Sequence, residues 1–271
     1  MRKIIYFLLL MSSAEVWAVA SSAVYNITEE KWVHSQNLNR TRPIASLTKL
    51  MTVMVSMDQD QDLDRVIELK TASKRFARGR YTRRTMITAA LVRSDNSAAE
   101  ALAAAHPGGT QQFVRDMNRK AVQLQMLNTK FMDASGLSSG NTATVPDVIS
   151  MIRAADLYPI IREVSVLTEA DVKGSRSRKI VIHNTNQPVL IEYTGITVSK
   201  TGFTVPAGWC MALMVSKNSQ RIAVVILGAD SKQARLSQIQ NHLDNHMPDP
   251  APLPQPNLTP GDIIRNWLLW R

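Results

Sequence analysis

Cysteine, histidine and long apolar runs are scarce in this chain, and each shortage removes a class of explanation. One cysteine, Cys210, stands among 271 residues, so a monomer closes no internal disulfide and must be held by packing. Cys210 lies in Trp209-Cys210-Met211-Ala212-Leu213, which reads as a buried strand with no histidine nearby in sequence. A structural thiol is therefore expected there, rather than a Cys-His nucleophile. Of the histidines, His34, His106 and His183 are far apart, and only His242 and His246 would share a helical face. That pair lacks the glutamate of a His-Glu-x-x-His site and any third ligand that sequence can name, so no metal and no cofactor are expected. The N-terminal apolar run, Ile4 to Met11, falls short of the roughly 20 residues that span a bilayer.

What is present begins with that run. Arg2 and Lys3 precede it and Ala18-Val19-Ala20 follows, the pattern of an export signal over residues 1–20, cleaved after Ala20. Ser12, Ser13 and Glu15 interrupt the segment and argue against a membrane anchor. An exported, periplasmic protein is expected. Losing Arg2, Lys3 and Glu15 with the signal lowers the formal charge from +10 to +9, which suits an anionic partner or surrounding. Export argues against nucleic acid; an envelope polymer bearing carboxylates or phosphates fits, as does a merely solubilising surface.

Hydrophobic residues make up 45% of the sequence, enough for a sizeable core. Ser22–Thr28 and Lys31–Gln36 flank Glu29-Glu30 as a hairpin would. Pro43 then leads into Ile44–Met57, apolar on nearly every side and expected as a buried helix. Helical patterns follow on both sides of Ser94 within residues 85–105, and again over 110–126 and 145–157. Strand signals return at Glu192–Ser199, Gly208–Ser216 and Arg221–Gly228, with a turn at Lys217–Gln220, before a closing helix over Ser231–His246. This order predicts an α+β fold for residues 21–246: a five-stranded antiparallel sheet built from both chain ends, with helices packed on it and a mainly helical insertion. Beyond it, Pro248, Pro250, Pro252, Pro254 and Pro256 predict an extended linker. The short amphipathic segment Asp262–Arg271 that follows suits weak membrane-surface contact or docking on the protein's own surface.

Three motifs then share one chemistry: Ser46-Leu47-Thr48-Lys49, Ser94-Asp95-Asn96 and Lys200-Thr201-Gly202. A serine hydroxyl needs a base, and Lys49, one helical turn after Ser46, can be that base if burial or a second cation such as Lys200 lowers its pKa. Ser-x-Asn alone is weak, since it recurs at Ser35, Ser139 and Ser216. Ser94 is distinguished by lying between the other motifs and between two helical stretches. Lys200-Thr201-Gly202 ends an expected strand, where glycine permits close approach of a substrate backbone.

With these motifs the chain resembles the penicillin-recognising serine enzymes. Arg42-Pro43-Ile44-Ala45-Ser46, Pro107-Gly108-Gly109, Thr129-Lys130-Phe131 with Gly136-Leu137-Ser138, Asn184-Thr185-Asn186 and Lys200-Thr201-Gly202-Phe203-Thr204 are similar to the low-molecular-mass D-alanyl-D-alanine endopeptidases of the penicillin-binding protein 7 type. The resemblance implies a β-lactamase/transpeptidase-like fold over roughly residues 22–245. It implies Ser46 as acylated nucleophile, Lys49 as general base, Ser94 as proton relay and Asn96 as a holder of the substrate amide and of Lys49. Lys200 and Thr201 would receive a carboxylate, and the N–H groups of Ser46 and Phe203 would form an oxyanion hole beside Gly202. Peptidoglycan stem peptides and cross-links would be the substrates and β-lactams covalent inhibitors.

Endopeptidase and carboxypeptidase remain open, because either substrate offers a carboxylate beside the scissile bond. A class A β-lactamase would need a deacylating glutamate in a Glu-x-x-Leu-Asn context, which Glu100, Glu163, Glu169 and Glu192 all lack. A non-catalytic murein-binding module is the remaining alternative. A basic stretch, Lys70, Lys74, Arg75, Arg78, Arg80, Arg83 and Arg84, reads equally well as a polyanion contact or a solvated face.

Overall fold

A computed structural model describes residues 20–174 and 179–246; nearly all of the expected export signal and the whole proline-rich tail lie outside the described residues. The chain opens with β1 (Ser21–Asn26), β2 (Lys31–Gln36) and a short β3 (Arg42–Pro43), then a 3-10 turn (Ala45–Leu47) running into α1 (Thr48–Gln59). Next come β4 (Val66–Leu69), β5 (Gly79–Thr82), α2 (Arg83–Val92), α3 (Asn96–Ala104), α4 (Gly109–Gln123), β6 (Thr142–Ala143), α5 (Val145–Ala155) and α6 (Pro159–Val164). The last part holds β7 (Glu169–Lys173), β8 (Lys179–His183), α7 (Gln187–Glu192), β9 (Ile196–Thr204), β10 (Gly208–Lys217), β11 (Gln220–Ala229) and α8 (Lys232–His246).

The five-stranded sheet has the order β2-β1-β11-β10-β9 and its neighbouring strands are antiparallel, so both chain ends build it as expected. Strand alternation explains why β10 and β11 are apolar almost throughout. Ala212, Met214, Ala223, Val225 and Leu227 face a large core shared with α1 and α5, whereas Met211, Leu213, Val224 and Ile226 face a smaller core closed by Ile239 and Leu243 of α8. Both faces of these central strands are therefore covered. The expected turn after β10 is present, with Asn218 and Ser219 at positive φ.

Helix α1 is buried from Thr48 to Met57, which accounts for its nearly all-round apolar sequence. Each aliphatic side chain so enclosed contributes about 1.5–3 kcal/mol. Where one helix was expected over Ile44–Met57, the chain makes the 3-10 turn first, because Ala45 takes φ +46°. The strand expected over Glu192–Ser199 starts at Ile196 and runs on to Thr204; Glu192 instead ends α7, whose first turn is set by Pro188. Lys200-Thr201-Gly202 therefore lies inside a strand rather than at its end. The helix expected over 110–126 is α4, ending at Gln123, where Gln125 takes φ +58°. Two ribbons, β4 with β5 and β7 with β8, were not expected from the sequence.

Candidate active site

The nucleophile candidate sits where three elements converge. Ser46 is in the 3-10 turn, and Lys49, one turn later in α1, brings Nζ to 2.8 Å from Ser46 Oγ. The same Nζ donates to Asn96 Oδ1 at 2.7 Å and to the Ser135 carbonyl at 2.5 Å. A neutral amine has two hydrogens and one lone pair; with Asn96 and Ser135 accepting the hydrogens, the lone pair faces the Ser46 hydroxyl. Lys49 is fully buried, and burial lowers its pKa to about 7 against the opposing pull of Asp95, Asp133 and Glu100. Burial, rather than a neighbouring cation, thus makes this lysine a base near neutral pH.

Ser94 stands between α2 and α3 with φ +60°. Asp95 caps α3, its Oδ1 accepting from Ala98 N–H at 2.9 Å, so the middle residue of this motif has a structural task. Lys200 Nζ donates to Ser94 Oγ at 2.9 Å and to the Thr201 carbonyl at 2.9 Å. Lys200 is 1% exposed; burial, then Lys49 and Arg235, hold its pKa well below the ordinary lysine value. Lys200 itself does not line the cleft but bonds Ser94, which does.

Ser46, Ser94, Asn96, Thr201, Gly202 and Phe203 all line one cleft of about 570 Å³. Thr201 Oγ1 bonds Thr185 Oγ1 at 2.7 Å, and Phe203 is half exposed and stacked on Trp209 with ring centroids 4.2 Å apart. Gly202 faces the protein's own backbone. A Cβ there would come within 2.9 Å of the Ile44 carbonyl and 3.1 Å of Ser46 N, so glycine lets β9 press against the nucleophile turn. Glycine at this position thus admits the protein's own chain, and not a substrate backbone alone.

Two contributors escaped sequence reasoning. Ser135 acts through its backbone carbonyl, which carries no side-chain signature. Asp133 shapes that loop by accepting from the N–H groups of Ser135, Gly136 and Ser138, and Asn141 ties the loop to Thr48 of α1 at 3.1 Å. Gly136, at φ +82°, would place a Cβ 2.0 Å from the Ala45 carbonyl. Its isolated glycine beside Asp133 was the available signal.

The other Ser-x-Asn triplets lie elsewhere: Ser35 is on the outer strand β2, Ser139 precedes the structural Asn141, and Ser216 leads into the turn after β10. A family model described as D-alanyl-D-alanine carboxypeptidase, peptidase S11, matches residues 11–231. The chain belongs to this family.

Within the S11 peptidases, the D-alanyl-D-alanine endopeptidase of Escherichia coli strain K12 is 33% identical over 225 residues, 79% of this chain and 73% of that protein. Its namesake from Pseudomonas aeruginosa is 34% identical over the same shares. Penicillin-binding protein D2 from Listeria monocytogenes, solved with ampicillin bound, has a TM-score of 0.75 and 25% identity, covering 84% of this chain and 97% of that one. The DD-transpeptidase of Streptomyces K15 shares the fold at 22% identity and a TM-score of 0.75, covering 82% of this chain and 94% of that one. The sheet and its helices therefore form the expected β-lactamase/transpeptidase-like fold, and the chain is a serine hydrolase of the S11 type.

The remaining polar candidates are accounted for locally. Burial raises the Cys210 thiol to about 11, where it is a poor nucleophile. His34 of β2 joins the expected His242–His246 pair, with ring centroids 4.6 Å from His242. Among the described residues no group of three His, Cys, Asp or Glu is arranged to hold a metal ion.

Proposed function

We propose that this S11 peptidase is an exported, periplasmic serine DD-endopeptidase that hydrolyses D-alanyl-diaminopimelate cross-links of peptidoglycan through an acyl-enzyme at Ser46. The observation that carries the reading is the buried Lys49 Nζ, 2.8 Å from Ser46 Oγ and bonded to Asn96 and the Ser135 carbonyl. Ser46 Oγ attacks the D-alanyl carbonyl carbon while Lys49 takes its proton. The oxyanion is held by the N–H groups of Ser46 and Phe203, supported by the close packing of β9 on the nucleophile turn. As the C–N bond breaks, Ser94, oriented by Lys200, gives a proton to the departing amine and regains one from Lys49. Water then repeats the sequence on the ester and frees Ser46. Asn96 and Thr201 hold the substrate amide and carboxylate, and Lys200 holds Ser94 in place beside them.

Penicillins would acylate Ser46 and stay. Of the glutamates weighed for deacylation, Glu163 pairs with Arg84, Glu169 with His183, and Glu192 accepts from Gln240; neither these nor Glu100 line the cleft. The endopeptidase reading is favoured over a carboxypeptidase because relatives named endopeptidases are 30–34% identical, whereas those named carboxypeptidases are 21–28% identical. Among the described residues no helix is long and apolar enough to cross a membrane.

Labelling by a fluorescent penicillin, lost in Ser46→Ala, tests the acyl-enzyme; absence of label in the wild type would remove it. Digestion of cross-linked muropeptide dimers alongside pentapeptide monomers tests the substrate. Monomers released from dimers are expected, and release of free D-alanine alone would make the protein a carboxypeptidase.

A further inference from the structure

The basic stretch found in the sequence is divided by the fold into two sets of cations. Arg83 is buried and its Nη2 lies 2.9 Å from Asp60, while Arg84 reaches Glu163 at 2.7 Å. These two fasten α2 to its surroundings. Lys70, Lys74, Arg75 and Arg78, in the loop joining β4 and β5, are all exposed and make no ion pair with any described residue. Arg80 lies opposite Glu68 across the ribbon, outside the loop.

The loop that carries the four cations is built as a platform. Its one aromatic residue, Phe76, is fully buried and meets Tyr81 edge-on at 5.7 Å between centroids. Ser73 N–H donates to the Phe76 carbonyl at 2.9 Å, and Tyr81 Oη donates to the Ala77 carbonyl at 2.7 Å. Ile67 and Leu69 bury the inner face of β4, which packs on α3, the helix that begins with Asn96. Like charges carried on one loop raise one another's energy, and no ion pair among the described residues offsets the charge of these four. Arg93 and Lys232 add cations at the cleft itself.

We infer that the loop between β4 and β5 is an exosite for the carboxylates of uncleaved peptidoglycan strands, which keeps the polymer beside the cleft between cleavage events. This rests on the proposed wall-peptide activity and names how that activity engages an insoluble substrate. A polymer fits better than an anionic membrane, because the loop's aromatic residue points inward and offers nothing to insert into lipid. Four exposed cations on one loop read charge density rather than one small ligand, so binding should weaken with salt over the concentrations at which the Debye length falls below about 10 Å.

The test compares the wild-type protein with a Lys70→Glu, Lys74→Glu, Arg75→Glu, Arg78→Glu variant by cosedimentation with purified sacculi, alongside acylation by a fluorescent penicillin. The expected result is at least about tenfold weaker sacculus binding, a matching rise in KM on sacculi, and an unchanged acylation rate. Glutamine at the same four positions keeps the measurement decisive if charge reversal disturbs the fold, and should show the same direction with a smaller change. Wild-type binding by the glutamine variant would overturn the exosite. Binding of the wild-type protein to phosphatidylglycerol vesicles but not to sacculi would overturn the choice of partner. Loss of penicillin labelling in the wild type with sacculus binding intact would sink the active-site reading and leave the exosite standing.

Discussion

Lysines at the cleft and lysines on the ribbon loop have the same side chain and opposite uses. Lys49 and Lys200 are enclosed, hydrogen-bonded and held below their ordinary pKa by burial. Lys70 and Lys74 are exposed and make no ion pair among the described residues. Burial favours the uncharged amine, which can take up a proton; exposure leaves a fixed charge that acts at a distance. Position in the fold, rather than residue type, decides which chemistry a lysine performs.

The sharpest way to break this contrast is to remove the buried base. Lys49→Met keeps the length of the side chain and deletes its nitrogen. General-base loss costs about 10²–10⁴ in rate, so acylation by a fluorescent penicillin should fall by about 10³. A variant within tenfold of wild type would show that another group takes the Ser46 proton. The ribbon lysines, changed singly, should leave that rate unaltered.

Next in size is damage to the wall that buries Lys49. In Gly136→Ala the new Cβ would meet the Ala45 carbonyl at 2.0 Å from a backbone at φ +82°, and main-chain atoms on both sides give way poorly. A loss of about 3 kcal/mol, roughly 10 °C in Tm, is expected together with slower acylation. An unchanged melting temperature would mean that the 133–141 loop does not press on the nucleophile turn as described.

These two sites also mark how far sequence could go. Ser46, Lys49, Ser94, Asn96 and Lys200 could be named as candidates because the chemistry they suit fixes both residue type and order, and the fold bonds Lys49 to Ser46 and Asn96 and Lys200 to Ser94. The central sheet was legible because β11 carries an unbroken apolar run, Ile222–Leu227. Ser135 was hidden, since a carbonyl acceptor can belong to any residue. The β7–β8 ribbon was hidden because each strand buries one residue, too few to produce an alternating pattern. Neither the split of the basic stretch nor the approach of His34 to His242 follows from spacing, since both depend on which distant elements pack together.

A pH profile sharpens the contrast at intermediate cost. Lys49 works as a base only when deprotonated, and its pKa lies at about 7. Acylation should therefore fall about tenfold per pH unit below that value and level off above it. Glu100, Asp95 and Asp133 each raise this pKa, so Glu100→Gln should move the acid limb slightly to lower pH. A limb that stays in place, or moves up, would contradict the assignment of that limb to Lys49. Neutralising Lys70 should leave it where it is.

The smallest expected effect belongs to a third buried base, His242. Burial, then His34 and His246, lower its pKa to about 4, and its Nδ1 has no hydrogen-bond partner among the described residues. The unfolded chain takes up a proton near the ordinary histidine value of about 6.5, whereas the folded chain resists until about pH 4. The unfolded state then binds more protons across that window, so stability falls as pH drops through it and the loss levels off below about 4. His242→Phe removes this contribution while keeping a ring against His34. Between about pH 7 and 4.5 the wild-type Tm should fall a few degrees further than that of the variant. Parallel curves would show that His242 titrates without a shift, and that the buried-base behaviour of the cleft lysines does not extend to α8.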